Sequence, residues 1–548
     1  MRKTHIFTIM ALGVLSLASC KKAPKVDEIP EPVEPGPAKL CLTVVLTDEF
    51  NAIPGTATNP VSSLSVNGLG GGTPIIPEAS GYTAGELRKS LAVAEYECRF
   101  APQEAAAGQF GATAEINGTQ YVWTSTDAVK FESDFRYSLM LTFAADGTVT
   151  ASEIFRSEWD KKHEFEIEPV KTGDADVWDG TLADDIPGSG TEEDPFLITK
   201  GSELAYLASV IESGVVGKFS YSKHYKLGND IDLDNRPWKS IGYMKDWSGN
   251  SLHGVFDGNG HTIYNLKSDE SGTGRTAGLF GSVTSIVIKK LTIYNADIKS
   301  DCLGGILAGS ITQSGGSTSS YSEVIDCHVT GKVAVSSAGD DNNNFGGMFG
   351  QACYTKVKDC TAYVDVKGNG CTGGLAGSSY FCDYENCSVR GVAEGLWAVG
   401  GFTGALEGEC AATGCVSRTN VTATNWNCGG FVGYFNGYDV GENKIMTCTA
   451  TDCAAYGTVT STMDDNRNHA GGFAGYMAYA SATNCLSGNN VIVEHRREDS
   501  QAGTFIGYDG GNSTTSGCHY SAAKNTGKFM AVGATEEGVT STHDITAE

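Results

Sequence analysis

A glycine-rich pentapeptide returns along the second half of the chain, most plainly as GGLAG at 373–377, GGFTG at 400–404 and GGFVG at 429–433. The last glycines of its copies are Gly281, Gly309, Gly350, Gly377, Gly404, Gly433, Gly475 and Gly507, at intervals of 28, 41, 27, 27, 29, 42 and 32. Five of the seven intervals lie close to 28, which predicts an array with one coil per repeat and loops inserted in the two long ones. No lysine and hydroxyl follow the glycines, so the signature does not read as a phosphate-cradling loop. It reads as a coil marker: a residue without Cβ can take positive φ at a sharp turn and lets neighbouring backbones approach closely.

Two further columns follow from the same register. The apolar residue inside each signature, Leu279, Leu307, Met348, Leu375, Phe402, Phe431, Phe473 or Phe505, is expected to point inward. Ten or eleven residues after most signatures stands a cysteine: Cys360, Cys387, Cys415, Cys485 and Cys518, with Leu291 in the first copy. In the long coils Cys327 and Cys453 follow at 18 and 20. Stacked at ~4.8 Å, these side chains would form a column of small apolar fillers. Many cysteines in an exported chain usually mean disulfides; here seven of 17 fall into one column, and buried free thiols are the expectation for it. Cys353, Cys382, Cys410 and Cys448 lie outside the column, where pairing is open.

The 548 residues exceed one ordinary core, and 39 basic against 65 acidic residues give a net charge of −26, which repels nucleic acid and anionic membrane surfaces. Nucleic acid is therefore not expected among the partners. The chain opens with Arg2 and Lys3, an apolar run from Ile6 to Leu17, and Leu17-Ala18-Ser19-Cys20. This resembles a bacterial lipoprotein signal, too short to span a bilayer. It implies acylation of Cys20, a membrane attachment through lipid, and an outer-membrane, surface-exposed location. Residues 20–39 are rich in proline and acids and read as a stiff tether, on the order of 60 Å at ~3.1 Å per residue.

Residues 40–172 read as strands. Leu40, Leu42, Val44 and Leu46 alternate with smaller or more polar neighbours, the period of a half-buried strand. Asn117-Gly118 and Asp146-Gly147 suit hairpin turns. The segment 131–159, FESDFRYSLMLTFAADGTVTASEIFRSEW, resembles the last strands of fimbrillin-like domains, pilus subunits that exchange strands. That resemblance implies a β-sandwich and a pilus-associated role, although a fimbrillin has two such domains and this chain has room for one.

From Trp178 a new unit begins. GTEEDPFLITKGSELAYLASVIESG at 190–214 predicts a strand, then a helix capped by Ser202, with Leu204, Leu207, Ala208 and Ile211 on one face and Gly214 as its stop. With YKLGNDIDL, GVFDGNGHTIYNL and AGLFG after it, this order resembles proteins carrying the GLUG repeat. The resemblance implies a right-handed parallel β-helix over 178–530, its open end capped by the helix, with 531–548 as a tail. The expected fold class is thus mainly β: a small N-terminal β-sandwich followed by a right-handed parallel β-helix solenoid.

Function is less legible. Asp230, Asp232 and Asp234 begin a calcium-loop spacing, but Asn235 and Ile241 occupy the positions that need glycine and glutamate. Both long coils carry an acidic loop, AGDDNNNFGG and TMDDNRNHAGG, so Asp340, Asp341, Asp464 and Asp465 are candidate ligands for calcium or sugar hydroxyls, or simply solvated turns. Aromatic residues recur just after the signatures. Of these Tyr380, Tyr434, Tyr438, Tyr476 and Tyr508 are the candidate ligand-binding strip, since tyrosine offers sugar an apolar face with a polar tip. No cofactor is expected. Asp257, Glu385 and Asp439 form no recognisable acid and base set, and no nucleophile motif is present, so the chain is not expected to be an enzyme. The expected role is adhesion or recognition at the cell surface, with a glycan, host or pilus-subunit partner. The alternative is a polysaccharide lyase or hydrolase with a groove along the helix.

Overall fold

The structure is a computed structural model that describes residues 38–46, 61–69, 75–83, 92–116, 118–132, 135–143, 147–151, 155–158, 175–214, 217–219, 222–246, 248–313, 321–336, 343–441, 444–462, 469–494, 501–525, 527–536 and 540–547. Cys20 lies outside the described residues, as do Asp340, Asp341, Asp464 and Asp465. The chain divides into two compact units, Met1–Lys161 and Lys162–Glu548.

In the first unit, Ala38–Leu46 pairs antiparallel with Ala92–Phe100 and parallel with Phe135–Phe143. Leu40, Leu42 and Val44 are buried, as their alternation requires. A second sheet joins Val61–Asn67, Gly111–Ile116 and Thr119–Thr124. Ile116 faces Thr119 across a tight turn in which Gly118 takes φ 77°, a value that suits glycine. The connection at Gly147 is longer, with Phe143 facing Val149. Side chains of both sheets share one core, where Phe131 meets Phe100, Phe110 and Tyr137 edge to face.

The second unit opens with strand Phe196–Ile198 and the only α-helix among the described residues, Gly201–Ser213. Leu204, Leu207, Ala208 and Ile211 are buried in the core begun by Phe196, Tyr225 and Leu227. Gly214 closes the helix at φ 70°. The start differs from expectation: Lys200, not Ser202, is the N-cap residue. The Glu203 carboxylate reaches back to accept from the amides of Thr199 at 2.7 Å and Lys200 at 3.1 Å. A longer acceptor inside the first turn thus does the capping, favoured there also by the helix dipole.

Each repeat then passes through four strand positions. In one coil they are Ala398–Gly400, Thr403–Glu407, Ala411–Thr413 and Val416–Ala423. Every strand pairs in parallel with its counterpart one repeat on: Val399 with Cys428, Thr403 with Val432, Ala411 with Thr449, Val416 with Ala454. Among the described residues this yields a parallel sheet of 29 strands and a companion of six. The fold is therefore mainly β with a large parallel-strand sheet. One long interval contains an inserted hairpin, Tyr438–Asp439 against Ile445–Met446.

Inside, the signature column is stacked side chain on side chain. Phe402, Phe431, Phe473 and Phe505 lie nearly parallel at 4.7, 4.9 and 4.8 Å, all fully buried. The glycines around them act through space and not through backbone conformation. A Cβ on Gly404 would stand 2.4 Å from the carbonyl oxygen of Gly377, and one on Gly475 2.7 Å from that of Gly433. Neither these nor Gly377 and Gly433 have positive φ, so of the two expected reasons for glycine only close approach applies. The left-handed positions fall at another corner, on the residue before each column cysteine: Asp326, Asp359, Asn386, Gly414, Asp452, Asn484 and Gly517. These residue types tolerate that conformation.

The cysteine column itself is buried from Cys327 to Cys518, and each member is a free thiol. Cys382, Cys410 and Cys448 form a second buried column, with the Cys382 amide 3.2 Å from Cys410 Sγ. Burial pushes the Cys360 and Cys415 thiols well above their usual range, which suppresses the reactive thiolate. Maleimide labelling of native protein, read by peptide mass spectrometry, should spare Cys360, Cys387 and Cys415 until the chain unfolds. Rapid labelling of the native state at those positions would contradict the stacking register.

Candidate functional site

The short strands before each signature and the strands after it meet at the signature glycines, and their outward side chains converge. On the first side stand Asn344, Cys371, Ala398, Asn427, His469 and Gln501, immediately preceding or opening the six-stranded sheet. On the other stand Gln351, Ser378, Ala405, Tyr434, Tyr476 and Tyr508 in register. The two sides touch. Asn344 donates to Ser378 Oγ at 2.9 Å, and the His469 ring stacks on Tyr508 at 4.6 Å, having its Nδ1 2.6 Å from Asn427 Oδ1. The result is a polar and aromatic seam running along the array.

The aromatic residues that follow the signatures separate into four environments. Phe435 points into the core. Tyr354, Phe381 and Tyr479 occupy a corner at φ 48–53°, unusual for bulky residues, and the rings of Tyr354 and Phe381 stack at 4.8 Å. Tyr434, Tyr476 and Tyr508 form a ladder at 4.9 and 5.9 Å with interplanar angles near 20°. Their faces are turned largely toward one another, so the ladder offers edges and hydroxyls along its length and a ring face at its end. Tyr380 and Tyr438 belong to a neighbouring cluster around Glu407. Tyr438 sits on the inserted hairpin and donates its hydroxyl to Glu407 Oε2, and Tyr380 also hydrogen-bonds that carboxylate. Burial, then the Tyr476 hydroxyl and Glu407, push Tyr434 up to about 12. Burial followed by the Glu407 bond raises Tyr438, so these phenols remain donors at neutral pH.

Sequence reading had no signal for Glu407 or for the bend that brings Tyr438 to it. His469 and Asn427 were detectable in principle, because Asn344, Asn427, His469 and Gln501 all stand two residues before a signature. The carboxylates considered for catalysis are not brought together. Asp257 caps its own turn at the Asn259 amide, Glu385 pairs with Lys358 at 2.6 Å, and Asp439 accepts from Gly441. Asp230 and Asp232 are engaged by His261, Thr262 and Asn265. Among the described residues no group of three or more His, Cys, Asp or Glu is arranged to hold a metal, and no helix is long and apolar enough to cross a membrane.

No family model matches the chain. Over 186 residues, 31% of its length, it is 31% identical to Halomucin of Haloquadratum walsbyi, of which it spans only 2%. It is also similar to a solved Bacteroides ovatus structure titled a "putative immunoglobulin A1 protease", with 17% identity and a TM-score of 0.38 over 66% of this chain and 86% of that one. A structure titled "IgA1 Protease" gives 13% identity and a TM-score of 0.32, over 84% of this chain and 29% of that one. A "putative cell adhesion protein" of Bacteroides ovatus gives 18% identity and 0.16, over 23% and 45%. The expectation that the chain is not an enzyme does not stand, because a missing catalytic motif does not exclude catalysis; two of these similar structures carry the name IgA1 protease. At these TM-scores the same structures assign no reaction or substrate to this chain.

Proposed function

We propose that the chain is a cell-surface adhesion or recognition protein, anchored by lipid on Cys20, that binds glycan along the Tyr434–Tyr476–Tyr508 seam. In this reading the parallel array is a right-handed β-helix of the GLUG-repeat kind, with the helix Gly201–Ser213 as its cap. The first unit is a fimbrillin-like sandwich, and the association is with a pilus or a host surface. What supports the binding role is the in-register row of tyrosines beside His469 and Asn427. Such a row supplies repeated hydroxyl and amide groups at the repeat of the coils, which suits an extended ligand with many hydroxyls. A carboxylate at Glu407 ties the inserted hairpin to the seam and fixes Tyr438 beside it.

The test is a glycan array followed by titration calorimetry on the full chain. Replacing both Tyr434 and Tyr476 by alanine is expected to weaken binding about tenfold or more, given that one aromatic contact is worth ~0.5–1.5 kcal/mol. Glu407→Gln should retain more affinity than the double variant, because the amide still accepts from Tyr438. Unchanged affinity in the tyrosine variant, with unfolding unaltered, would remove the seam from the binding site. Shortened oligosaccharides released from a bound polysaccharide would replace adhesion with depolymerisation as the activity.

A further inference from the structure

The tyrosine ladder stops at Tyr434, whose register partner in the preceding coil is Ala405. Two residues on, and so on the same side of that strand, stands Glu407, half-buried. Tyr380 is its register partner in the coil before, and Tyr438 reaches it from the inserted hairpin. Both phenols hydrogen-bond its carboxylate. A carboxylate has about four acceptor sites, so two phenols leave acceptor capacity unused.

Glu407 differs from several other carboxylates of the array in having no positive partner. Glu385 pairs with Lys358 at 2.6 Å, Glu394 with Lys367 at 3.5 Å, and Asp297 with Lys332 at 3.4 Å. Among the described residues no lysine, arginine or histidine pairs with Glu407, whose partners are phenols. Its neighbours add no charge. Burial and then Glu407 push the Cys371 thiol up to about 12, and the same two causes, in that order, raise the Tyr380 and Tyr438 phenols. All three groups are therefore uncharged at neutral pH and lie in the field of one anion. A field that disfavours a second negative charge favours a positive one, and the net charge of −26 adds attraction at long range.

We propose that Glu407, with the Tyr380 and Tyr438 hydroxyls, binds the ammonium group of an amino sugar in the glycan taken up by the seam. The proposal rests on the glycan reading of that seam and names the sugar class. An ammonium group has three N–H donors, which match the unused acceptor sites of the carboxylate and the lone pairs of the two phenol oxygens. Charge-assisted hydrogen bonds of this kind are roughly twice as strong as neutral ones. A hydroxyl or an N-acetyl group in the same place would leave the carboxylate without a counter-charge.

Titration calorimetry of the full chain tests this with chitosan, chitin and cellulose oligosaccharides of equal length, which share one backbone and differ only in the group on the second carbon. The amine-bearing chitosan oligomer is expected to bind roughly tenfold more tightly than either neutral one. Glu407→Gln should bring that ratio close to one, whereas Glu409→Gln, at an exposed acid on the same coil, should leave it as it is. Equal binding of the three oligomers would overturn the amino-sugar assignment and leave the seam a site for neutral glycan. A preference that survives Glu407→Gln, or falls equally in Glu409→Gln, would overturn it too, because the acidic surface at large would then be the attractant. No binding of the chitosan oligomer would also reject it, while the glycan array decides the seam reading separately. Thermal melts check folding. If the glutamine variant unfolds, Glu407→Asp decides: the shorter carboxylate should lower the ratio, and an unchanged ratio would reject Glu407.

Discussion

Replacing Gly433 by alanine is expected to destabilise the second unit by about 3 kcal/mol or more, at the upper end of the cost of overpacking. A Cβ there would stand 2.6 Å from the Val399 amide nitrogen and 2.8 Å from the Gly404 carbonyl oxygen. Both obstacles are backbone, fixed in turn by parallel pairing to the coils on either side, so no side-chain rotation can relieve the clash. Gly441 provides the control. It lies at the tip of the inserted hairpin at φ 79°, with nothing within 4 Å of its would-be Cβ. Alanine there should cost only ~1–2 kcal/mol, for left-handed strain alone. Urea unfolding followed by far-ultraviolet circular dichroism measures both. Comparable losses at the two sites would mean that conformation, and not proximity, selects the signature glycines.

The second large effect is expected at Phe431. Its ring is fully buried between Phe402 and Phe473, at 4.7 and 4.9 Å. Truncation to alanine leaves a cavity and removes two ring contacts, a loss of about 3–5 kcal/mol. Phe431→Leu should cost less, about 1–2 kcal/mol, because only part of the ring volume is lost and Leu375 and Leu307 fill the same column in other coils. In an array each repeat touches only its neighbours, so the alanine variant should lose amide-exchange protection first in the strands around Phe402 and Phe473. Uniform loss of protection across the unit would contradict that local coupling.

What could be read from the sequence was what repeats. The phenylalanine and cysteine columns were legible because one residue type returns at one offset, and stacking in register turns an offset into a place in space. The helix Gly201–Ser213 was legible from its apolar spacing and its terminal glycine. Its cap was not, because Ser202 and Glu203 both offer oxygen acceptors and only the path of Thr199 and Lys200 decides between them. The reason for the signature glycines was likewise hidden, since close approach and positive φ leave the same residue in the sequence. At the seam, the tyrosine positions were visible but their mutual stacking was not. That depends on the side-chain angles adopted by three rings on neighbouring strands. Glu407 occurs once in its column, between Tyr380 and Asn436, and a single occurrence gives periodicity nothing to work with.

The parallel pairing also has a mechanical consequence. Every coil is held to the next by hydrogen bonds that run along one axis, with Thr403 on Val432 and Val432 on Ala474. A pull between the start of the array and a ligand gripped at Tyr476 would load these junctions in series. The coils after the one that holds Tyr476 would carry no tension, and the force at rupture would be that of the weakest junction before it. Lengthening the array would then extend its reach without strengthening its hold.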